Sequence, residues 1–521
     1  MPNVTAVAGV LGLTGVEVDT VEQEGDGSWT MHVTTASGQQ AYCPGCGQAA
    51  GRVKEPTAHS VKHLALVPMR VTWHKSRFHC DSATCQTRSF AEAGPVAEAG
   101  AAVSTPARTV MGRLVGDWLV PVSRVAAGTG VSWHTAHDAF VEVAAEAGVH
   151  VTDTTAGTKT EPDGQTETEP DGQTEPGTET EPDGQTEPDG QTDTDEDACP
   201  VEGGPAARAR RSVSGPLPPV EVLGIDDHRR GKPLYHRDPV SGAWVADADR
   251  WQTVFVDAAG GHGLLGQVEG RAKADVTGWL AAQDPAWRAG IRYATTDMST
   301  VYKSAVLGSG LLPNARLVVD PFHVVQLANK TVDDVRRRVT YARRGRRGRA
   351  RDLEYTIKNL LRRGQETLSD NARNKLLCAL ADLGDAGRQI GAAWRAKELL
   401  RDLLKLSPNR TGLAATRDQV ANALEAFFEF AATTGATVPE IQTLAETVSA
   451  WRAEIARAVL TGHSNAAAEG VNRLVKLVYR GAFGLTSVTN QQRRSRYAAS
   501  RSTRPEWLHA VTTTISQPVA A

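Results

Sequence analysis

The stretch Val220-Glu-Val-Leu-Gly-Ile-Asp-Asp-His228 decides the fold that we predict for this chain. A short apolar run that ends in acidic residues is typical of a buried strand with a carboxylate at its end. Successive strand residues point to opposite faces of a sheet, so Asp226 and Asp227 cannot both enter one site. Asp226 continues the face of Val222 and Gly224, and Asp227 continues the other face.

Two acidic residues farther along the chain are candidates to join Asp226. Asp297 ends a second apolar strand, Ile291-Arg-Tyr-Ala-Thr-Thr-Asp297, and Glu469 lies in the predicted helix Ser464-Asn-Ala-Ala-Ala-Glu-Gly-Val-Asn472. Carboxylate oxygens are the ligands that Mg²⁺ prefers, and two such ions about 4 Å apart stabilise the entering and leaving oxygens of a phosphoryl transfer. We therefore predict Asp226, Asp297 and Glu469 as catalytic residues that hold two Mg²⁺ ions.

The helix around Glu469 also carries basic residues. Arg473 and Lys476 follow Glu469 at steps of three and four residues, which places them on one helix face. An exposed Glu469–Arg473 pair is the plain alternative, and it would contribute well under ~1 kcal/mol. Beside Asp226 and Asp297, we favour DNA phosphate contacts for Arg473 and Lys476 next to a metal-binding glutamate.

The elements around these acids predict a mixed sheet. The predicted strands are Val220–Asp226, Trp251–Asp257, Leu264–Val268, Ile291–Asp297 and Ala315–Asp320, with helices at Ala274–Gln283 and Ser299–Leu307. Three hairpin-type strands followed by alternating helices and strands favour a multidomain α/β protein with a ribonuclease-H-like mixed sheet.

This core is interrupted in the sequence. Residues 216–325 form its first part, residues 326–460 a basic helical insertion, and residues 461–521 the final helix with the third acid and the tail. The arginine-rich start of the insertion, from Arg336 to Arg363, predicts either a solvated face or a face that follows DNA phosphates.

Four of the six cysteines cluster in Cys43-Pro-Gly-Cys46 and Cys80-Asp-Ser-Ala-Thr-Cys85. Four thiolates suit a tetrahedral structural zinc site, and this clustering points to metal before disulfides. His74 and His79 are rival ligands. We predict a zinc-ribbon-like DNA-binding module over residues 1–100, in which one Zn²⁺ held by Cys43, Cys46, Cys80 and Cys85 substitutes for a core.

Residues 101–150 predict a helix-turn-helix domain, with helices at Thr105–Leu119, Val122–Ala127 and Ser132–Val143. Gly130 falls where the motif needs a turn glycine. Ser132 would cap the recognition helix, so that Trp133, His134 and His137 would lead it into the DNA groove. A plain helical hairpin is the alternative.

The formal net charge of -3 conceals two parts of opposite sign. Residues 151–200 carry sixteen acids against one lysine, a balance of -15, which leaves +12 for the rest. The basic remainder favours a polyanionic partner. Glu-Pro-Asp-Gly-Gln-Thr recurs at 161, 169, 181 and 187 with almost nothing to bury, so residues 151–215 predict an acidic low-complexity linker.

Targeting signals are not expected. No apolar run approaches membrane-spanning length, and Met1-Pro-Asn-Val-Thr5 lacks the basic region of a signal peptide. We therefore expect a cytoplasmic protein with no membrane partner.

Taken in order, these motifs resemble the DDE transposases of the ISL-three insertion-sequence group. The resemblance rests on the cysteine pairs, the helix-turn-helix at 123–140 and five further motifs: Gly224-Ile-Asp226-Asp227, Thr296-Asp297-Met-Ser299, Val319-Asp-Pro-Phe-His323, Ser464–Asn472 and Arg480-Gly-Ala-Phe-Gly484. It implies that Asp226, Asp297 and Glu469 are the metal-binding triad. It also implies that the amino-terminal modules recognise terminal inverted repeats and that a helical insertion separates Asp297 from Glu469.

The activity implied by the resemblance is cleavage and strand transfer of double-stranded DNA by a homodimer or higher oligomer, at the nucleoid of a bacterium. Two alternatives stay open: an inactive, transposase-derived DNA-binding repressor, and a metal-dependent nuclease without strand transfer. We expect an accessory role for Asp320 and His323 in orienting substrate or the metal shell, with anchoring of the insertion helix as the alternative. The long linker predicts loose coupling between end recognition and catalysis.

Overall fold

The computed structural model describes residues 13, 15–25, 28–64, 68–92, 94, 96–98, 100–153, 211–215, 217–231, 235–246, 250–259 and 261–500. The described residues up to Val151 and from Val213 onward form one compact unit. The linker predicted at 151–215 and the tail beyond Ser500 lie almost wholly outside the described residues.

The first element is a five-stranded sheet. Its strands are β1 (Val16–Gln23), β2 (Trp29–Thr35), β3 (Val53–Leu64), β4 (Pro68–His79) and β5 (Ser89–Ala91). They lie in the order β1-β2-β4-β3, with β5 on β4, and only β2 and β4 run parallel. Met31, Val71 and Trp73 are buried between them. The module therefore has its own core, and the expectation that zinc replaces a core is wrong.

Three helices follow the sheet: α1 (Thr105–Gly116), α2 (Val122–Thr129) and α3 (Trp133–Glu146). Gly130 ends α2 in the left-handed conformation (φ 63°), which glycine adopts without strain. Ser132 caps α3 by accepting a hydrogen bond from the Thr135 backbone N–H at 3.1 Å. The three predicted helices and this cap are thus present. β6 (His150–Asp153) pairs with β7 (Arg211–Ser214).

The central sheet contains all five predicted strands. They are β8 (Val222–Arg229), β11 (Trp251–Asp257), β12 (Leu264–Glu269), β13 (Tyr293–Thr296) and β14 (Arg316–Val319); the hairpin β9 (Tyr235–Arg237) and β10 (Trp244–Ala246), which sequence reasoning missed, follows β8. The strand order is β12-β11-β8-β13-β14. Strand β11 pairs antiparallel with both β12 and β8, and β13 pairs parallel with both β8 and β14.

One predicted strand boundary is wrong. Strand β8 does not end at Asp226 but continues to Arg229, because antiparallel pairing with β11 extends that far. The parallel pairing with β13 ends earlier, at Gly224. Asp226 therefore lies just beyond the parallel part of the sheet and still within a paired strand.

Helices lie between and after the strands of this sheet, and some of them cover its two faces. They are α4 (Lys273–Ala281), α5 (Pro285–Gly290), α6 (Thr300–Leu307), α7 (Pro321–Arg344), α8 (Leu353–Thr356), α9 (Lys358–Arg362), α10 (Asp370–Asp382), α11 (Asp385–Lys405), α12 (Pro408–Thr411), α13 (Arg417–Ala432), α14 (Pro439–Ala450), α15 (Arg452–Thr461), α16 (Ala466–Gly481) and α17 (Val488–Ala499). Leu223, Ile225 and Phe255 belong to the large core shared with α4, α6 and α7. Val254 and Val256, on the opposite face, pack against α16 and α17.

The arginine-rich start of the insertion is partly neutralised from within. Arg336 and Arg362 both form ion pairs with the buried Asp333. Arg346 pairs with Asp352 at 2.7 Å. The partners of these arginines are carboxylates of the chain itself, whereas Arg337, Arg347 and Arg351 form no ion pair with a described residue, so a face that follows DNA phosphates stays a prediction for the rest of the run.

Candidate active site and metal centre

Three aspartates lie side by side where parallel strands end. By register, Asp226 and Asp297 stand two residues beyond the last β8–β13 pair, and Asp297 stands level with Asp320 beyond the last β13–β14 pair. The Asp320 backbone N–H donates a hydrogen bond to the Thr296 carbonyl at 2.9 Å, which fixes this alignment. The carboxyl ends of parallel strands are a common position for ligand-binding residues. The strands thus bring Asp226, Asp297 and Asp320 to one edge.

Asp226 and Asp227 point to opposite faces, as strand alternation predicts. The Asn472 side chain of α16 donates to Asp226 Oδ2 at 2.7 Å. On the other face, the Tyr302 hydroxyl of α6 donates to Asp227 Oδ2 at 2.8 Å. Asp226 therefore faces the helix that carries Glu469, and Asp227 has a separate partner.

Asn465, just before α16, fastens that helix to two strands. Its side-chain amide donates to the Ile225 carbonyl at 3.1 Å and accepts a hydrogen bond from the Thr295 hydroxyl at 3.1 Å. Asn465 is buried, so both bonds are shielded from water. A Cβ at Gly224 would lie 2.9 Å from Asn465 Oδ1, so glycine there allows this close approach.

Glu469 lies one helical turn before Asn472 on α16. Its side chain is 56% exposed and accepts a hydrogen bond from Arg473 at 2.6 Å. Burial raises the pKa of Asp320, and the Glu469 carboxylate adds to this effect, whereas the Phe322 N–H and His323 oppose it. Glu469 is thus exposed and paired with arginine in this structure.

Among the acids at this edge of the sheet, Asp297 has the pKa that its neighbours affect most clearly. Burial raises the pKa of Asp297 to about 6; His323 opposes this rise, and Asp227, Asp226 and Asp320 increase it. Burial also raises the pKa of Asp226, against the Asp227 N–H and Asn472. Among the described residues, no hydrogen-bond donor reaches the buried Asp297 Oδ1.

Among the described residues, the oxygens of Asp226, Asp297, Asp320 and Glu469 do not come close enough together to form a group of three metal ligands, although their chemistry suits a divalent cation. Asp226 and Asp320 raise the pKa of the buried Asp297, so the nearby positive charge does not fully offset these carboxylates. Hard oxygen ligands of this kind suit Mg²⁺. The free Asp297 Oδ1 is the atom best placed to serve as a ligand, with Asp226 and Asp320 on either side. His323 follows Asp320 on α7, where its N–H donates to the Asp320 carbonyl at 3.1 Å.

The four cysteines meet at one end of the first sheet. Their sulfurs all lie within 4.8 Å of one another; Cys43 and Cys85 are 3.8 Å apart, and Cys46 and Cys80 are 3.5 Å apart. A tetrahedron with Zn–S bonds of about 2.3 Å has edges of about 3.8 Å, so the spacing suits zinc. Among the described residues this is the only such group of three or more potential ligands. His74 lies elsewhere, stacked on His32.

The predicted DNA-binding residues of α3 form an aromatic group. Trp133 is 38% exposed, stacks on His137 with ring centroids 4.8 Å apart, and meets His134 edge-on at 5.4 Å. Only 12% of the His137 side chain is exposed, so Trp133 and His134 form the accessible part. Arg473 and Lys476 are exposed on α16.

Sequence reasoning quoted Asn465 and Asn472 without giving them a role. They stand four residues before and three residues after Glu469, which is the spacing of one helix face. That spacing was the available signal. Nothing local in the sequence indicates Tyr302, because its partner Asp227 is distant along the chain.

Comparison with known proteins identifies a family for part of the chain. Residues 244–495 match the family model described as Transposase, that of the DDE transposases of the ISL-three group. One similar solved structure is a Drosophila P element transposase strand transfer complex, which is 9% identical in sequence. The match covers 54% of this chain and 78% of the P element transposase chain, with a TM-score of 0.29. A likeness at that score carries no argument. No curated protein matches.

The resemblance predicted from the sequence motifs is therefore confirmed by this match: residues 244–495, just under half of the chain, fit the family model of the DDE transposases of the ISL-three group. That segment includes Asp297 and Glu469 and begins after Asp226. Among the helices of the described residues, none combines the length and apolar character that a membrane crossing requires.

Proposed function

We propose that this protein is an active transposase that binds the terminal inverted repeats of an insertion sequence, cleaves DNA there and joins the ends to a target. The observation that carries the proposal is the group of Asp226, Asp297 and Asp320 at one edge of the sheet, which we call the acid edge. Asp226 and Asp297 lie just beyond the parallel pairing of β8 with β13, and Asn465 and Asn472 bind the Glu469 helix to the same place. The order of the five strands also supports a ribonuclease-H-like core.

Asp226, Asp297 and Glu469 would hold two Mg²⁺ ions, with Asp320 and His323 in an accessory role. The chemistry that such ions supply is charge neutralisation at the entering and leaving oxygens of the phosphodiester. In this proposal, the Glu469 side chain leaves Arg473 and turns toward Asp226. Arg473, released from that pair, and Lys476 then contact phosphates of the bound strand.

The amino-terminal half would recognise the DNA ends. We assign this role to a zinc-ribbon-like module with one Zn²⁺ on the four cysteines, and to a helix-turn-helix in which Trp133 and His134 meet the groove and His137 supports Trp133. The protein would act as a homodimer or higher oligomer on double-stranded DNA in the cytoplasm.

A single assay separates the candidate functions. The protein is incubated with a labelled element end, a target plasmid and Mg²⁺, and the products are resolved on a denaturing gel. Cut ends that become joined to the plasmid are the expected result. Cutting without joining would replace the proposal with a nuclease, and binding without cutting would replace it with a repressor.

A further inference from the structure

A cavity of about 570 Å³ opens beside the acid edge. Cavities of roughly 300–1,000 Å³ accommodate small organic groups. Asp320 lines it on one side and also belongs to the acid cluster. The rest of the lining comes from the start of α7, the end of α11, the short α12 and residues 462–464, which lead into the Glu469 helix. Whatever enters this cavity lies next to the proposed site of chemistry.

Phe322 gives the cavity an exposed aromatic ring. Its side chain is 60% exposed, and its backbone N–H donates to Asp320 Oδ1 at 3.1 Å. The His323 ring lies beside it, edge-on, with ring centroids 5.5 Å apart. Anchored beside Asp320 and open to solvent, the ring offers a flat apolar face on which a base would stack.

Among the cations that line the cavity, only one is available. Arg401 and Lys405 both form ion pairs with Glu366, which also lines the cavity. The Arg410 side chain is exposed and makes no ion pair or hydrogen bond with a described residue. A guanidinium without a partner suits a phosphate, which it binds through two parallel hydrogen bonds.

We propose that this cavity receives one unstacked nucleotide of the DNA, adjacent to the phosphate that is cut, with its base on Phe322 and its phosphate at Arg410. This inference rests on the proposed function. In a duplex, both faces of each base are covered by its neighbours, so only a base taken out of the helix can stack on the ring. The shared Asp320 limits the occupant to a nucleotide beside the acid edge.

The first test places 2-aminopurine, a fluorescent base, at each of the two nucleotides on either side of the cut, one per substrate. Stacking in the duplex quenches its fluorescence, so an unstacked base brightens. With the wild-type protein bound before Mg²⁺ is added, we expect a several-fold rise at one position. The rise should be lost in Phe322→Ala and Arg410→Ala. It should remain in Tyr341→Ala, a similarly exposed aromatic on α7, and in Arg388→Ala, an exposed arginine on α11.

The second test separates base stacking from a structural effect of the substitution. Loss of one base–aromatic stack should slow cutting of the ordinary end by Phe322→Ala roughly tenfold. An end that lacks the base at the brightened position needs no stacking, so Phe322→Ala should cut it within about twofold of the wild-type rate. An equal defect on both ends would mean that Phe322 supports the fold, and would overturn the inference.

Adding Mg²⁺ to the same fluorescent samples distinguishes failure of the nucleotide site alone from failure of the proposed transposase function. A wild-type protein that cuts its ends without brightening at any position would overturn the nucleotide site and leave the transposase function in place. A wild-type protein that neither brightens nor cuts would overturn the proposed function and the site together.

Discussion

At the scale of single residues, Asp297 is the most informative group. It is buried, its Oδ1 has no donor among the described residues, and its pKa is raised to about 6 by burial and by neighbouring carboxylates. A folded protein therefore pays a free-energy cost when Asp297 ionises. Residues in that condition are typical of sites built to bind a ligand rather than to stabilise the fold.

This cost makes Asp297→Asn a stabilising change in metal-free protein. The folded pKa lies above the ordinary value of 3.8, so the unfavourable term is absent below about pH 4 and complete above about pH 6. Asparagine avoids it, and we expect the variant to exceed wild type by about 3 kcal/mol at pH 8 and to equal it near pH 4. Thermal melts in EDTA at both pH values measure the difference. A variant less stable than wild type at pH 8 would contradict the raised pKa.

The four cysteines allow a second prediction at this scale. Sulfur spacings near those of a zinc tetrahedron lead us to expect one zinc per chain by metal analysis. The double change Cys43→Ser and Cys46→Ser should release it and lower the melting temperature. The exposed Cys378 lies outside the cluster, so Cys378→Ser is the matched control and should retain the metal. Full zinc content in the double variant would disprove the site.

At the scale of elements, helix α16 is placed by its polar residues. The Asn465 side chain binds one backbone carbonyl of β8 and one hydroxyl of β13 in a buried position. Without it, both partners would remain buried and unsatisfied, at a cost of about 1–3 kcal/mol each. The position of Glu469 relative to the strand ends depends on this attachment.

Asn465→Ala should therefore impair chemistry more than DNA binding. We expect a lower melting temperature and at least about tenfold slower Mg²⁺-dependent cutting, because the Glu469 helix is no longer fixed to the sheet. Asn314→Ala removes an amide that also donates to a carbonyl, at 2.8 Å, but from an exposed position, and should behave as wild type. Unchanged cutting by Asn465→Ala would show that α16 does not place a catalytic group.

The central strands could be predicted because apolar runs and strand alternation are local properties of the sequence. Strand alternation also predicted that Asp226 and Asp227 point to opposite faces of the sheet. Helix α17 could not be predicted, because its buried residues include Gln491, Arg494 and Arg496, which leave no apolar stripe at helical spacing. The β9–β10 hairpin escaped because its strands are three residues long and exposed. The attachment of Asn472 to Asp226 joins residues 246 positions apart, beyond any local pattern.

At the scale of the whole molecule, the modules at both ends of the sequence are packed together. The Tyr497 ring of α17 meets Phe140 of α3 edge-on at 5.7 Å. Arg494 of α17 donates to the Val120 carbonyl, between α1 and α2, at 3.0 Å. The helices predicted to recognise DNA thus pack directly on the last helix of the core. The long linker therefore does not keep these described parts of the chain apart, and we predict that recognition and catalysis are coupled through this contact.

Gly116 is where this packing can be disturbed. A Cβ there would lie 2.5 Å from the Tyr497 ring, so Gly116→Val forces the two helices apart, at a cost of about 1–3 kcal/mol. We expect a lower melting temperature and slower cutting of bound ends. Gly128→Val on α2 is the control, because nothing lies within 4 Å of its added Cβ. Equal behaviour of the two variants would mean that the contact does not couple recognition to catalysis.

The central claim is that Asp226, Asp297 and Glu469 hold the metal ions of a DNA-cutting site. Its most direct test is Mg²⁺-dependent nicking of a labelled end by Asp226→Asn, Asp297→Asn and Glu469→Gln, run beside a gel shift on the same DNA. Each change keeps the shape of the side chain and removes one negative charge. We predict that each lowers nicking by at least about 100-fold with binding retained, while Asp227→Asn stays close to wild type. Normal nicking by Glu469→Gln would contradict the triad and make Asp320 the leading third acid, and joint loss of binding and nicking in all three would mean that these residues hold the fold.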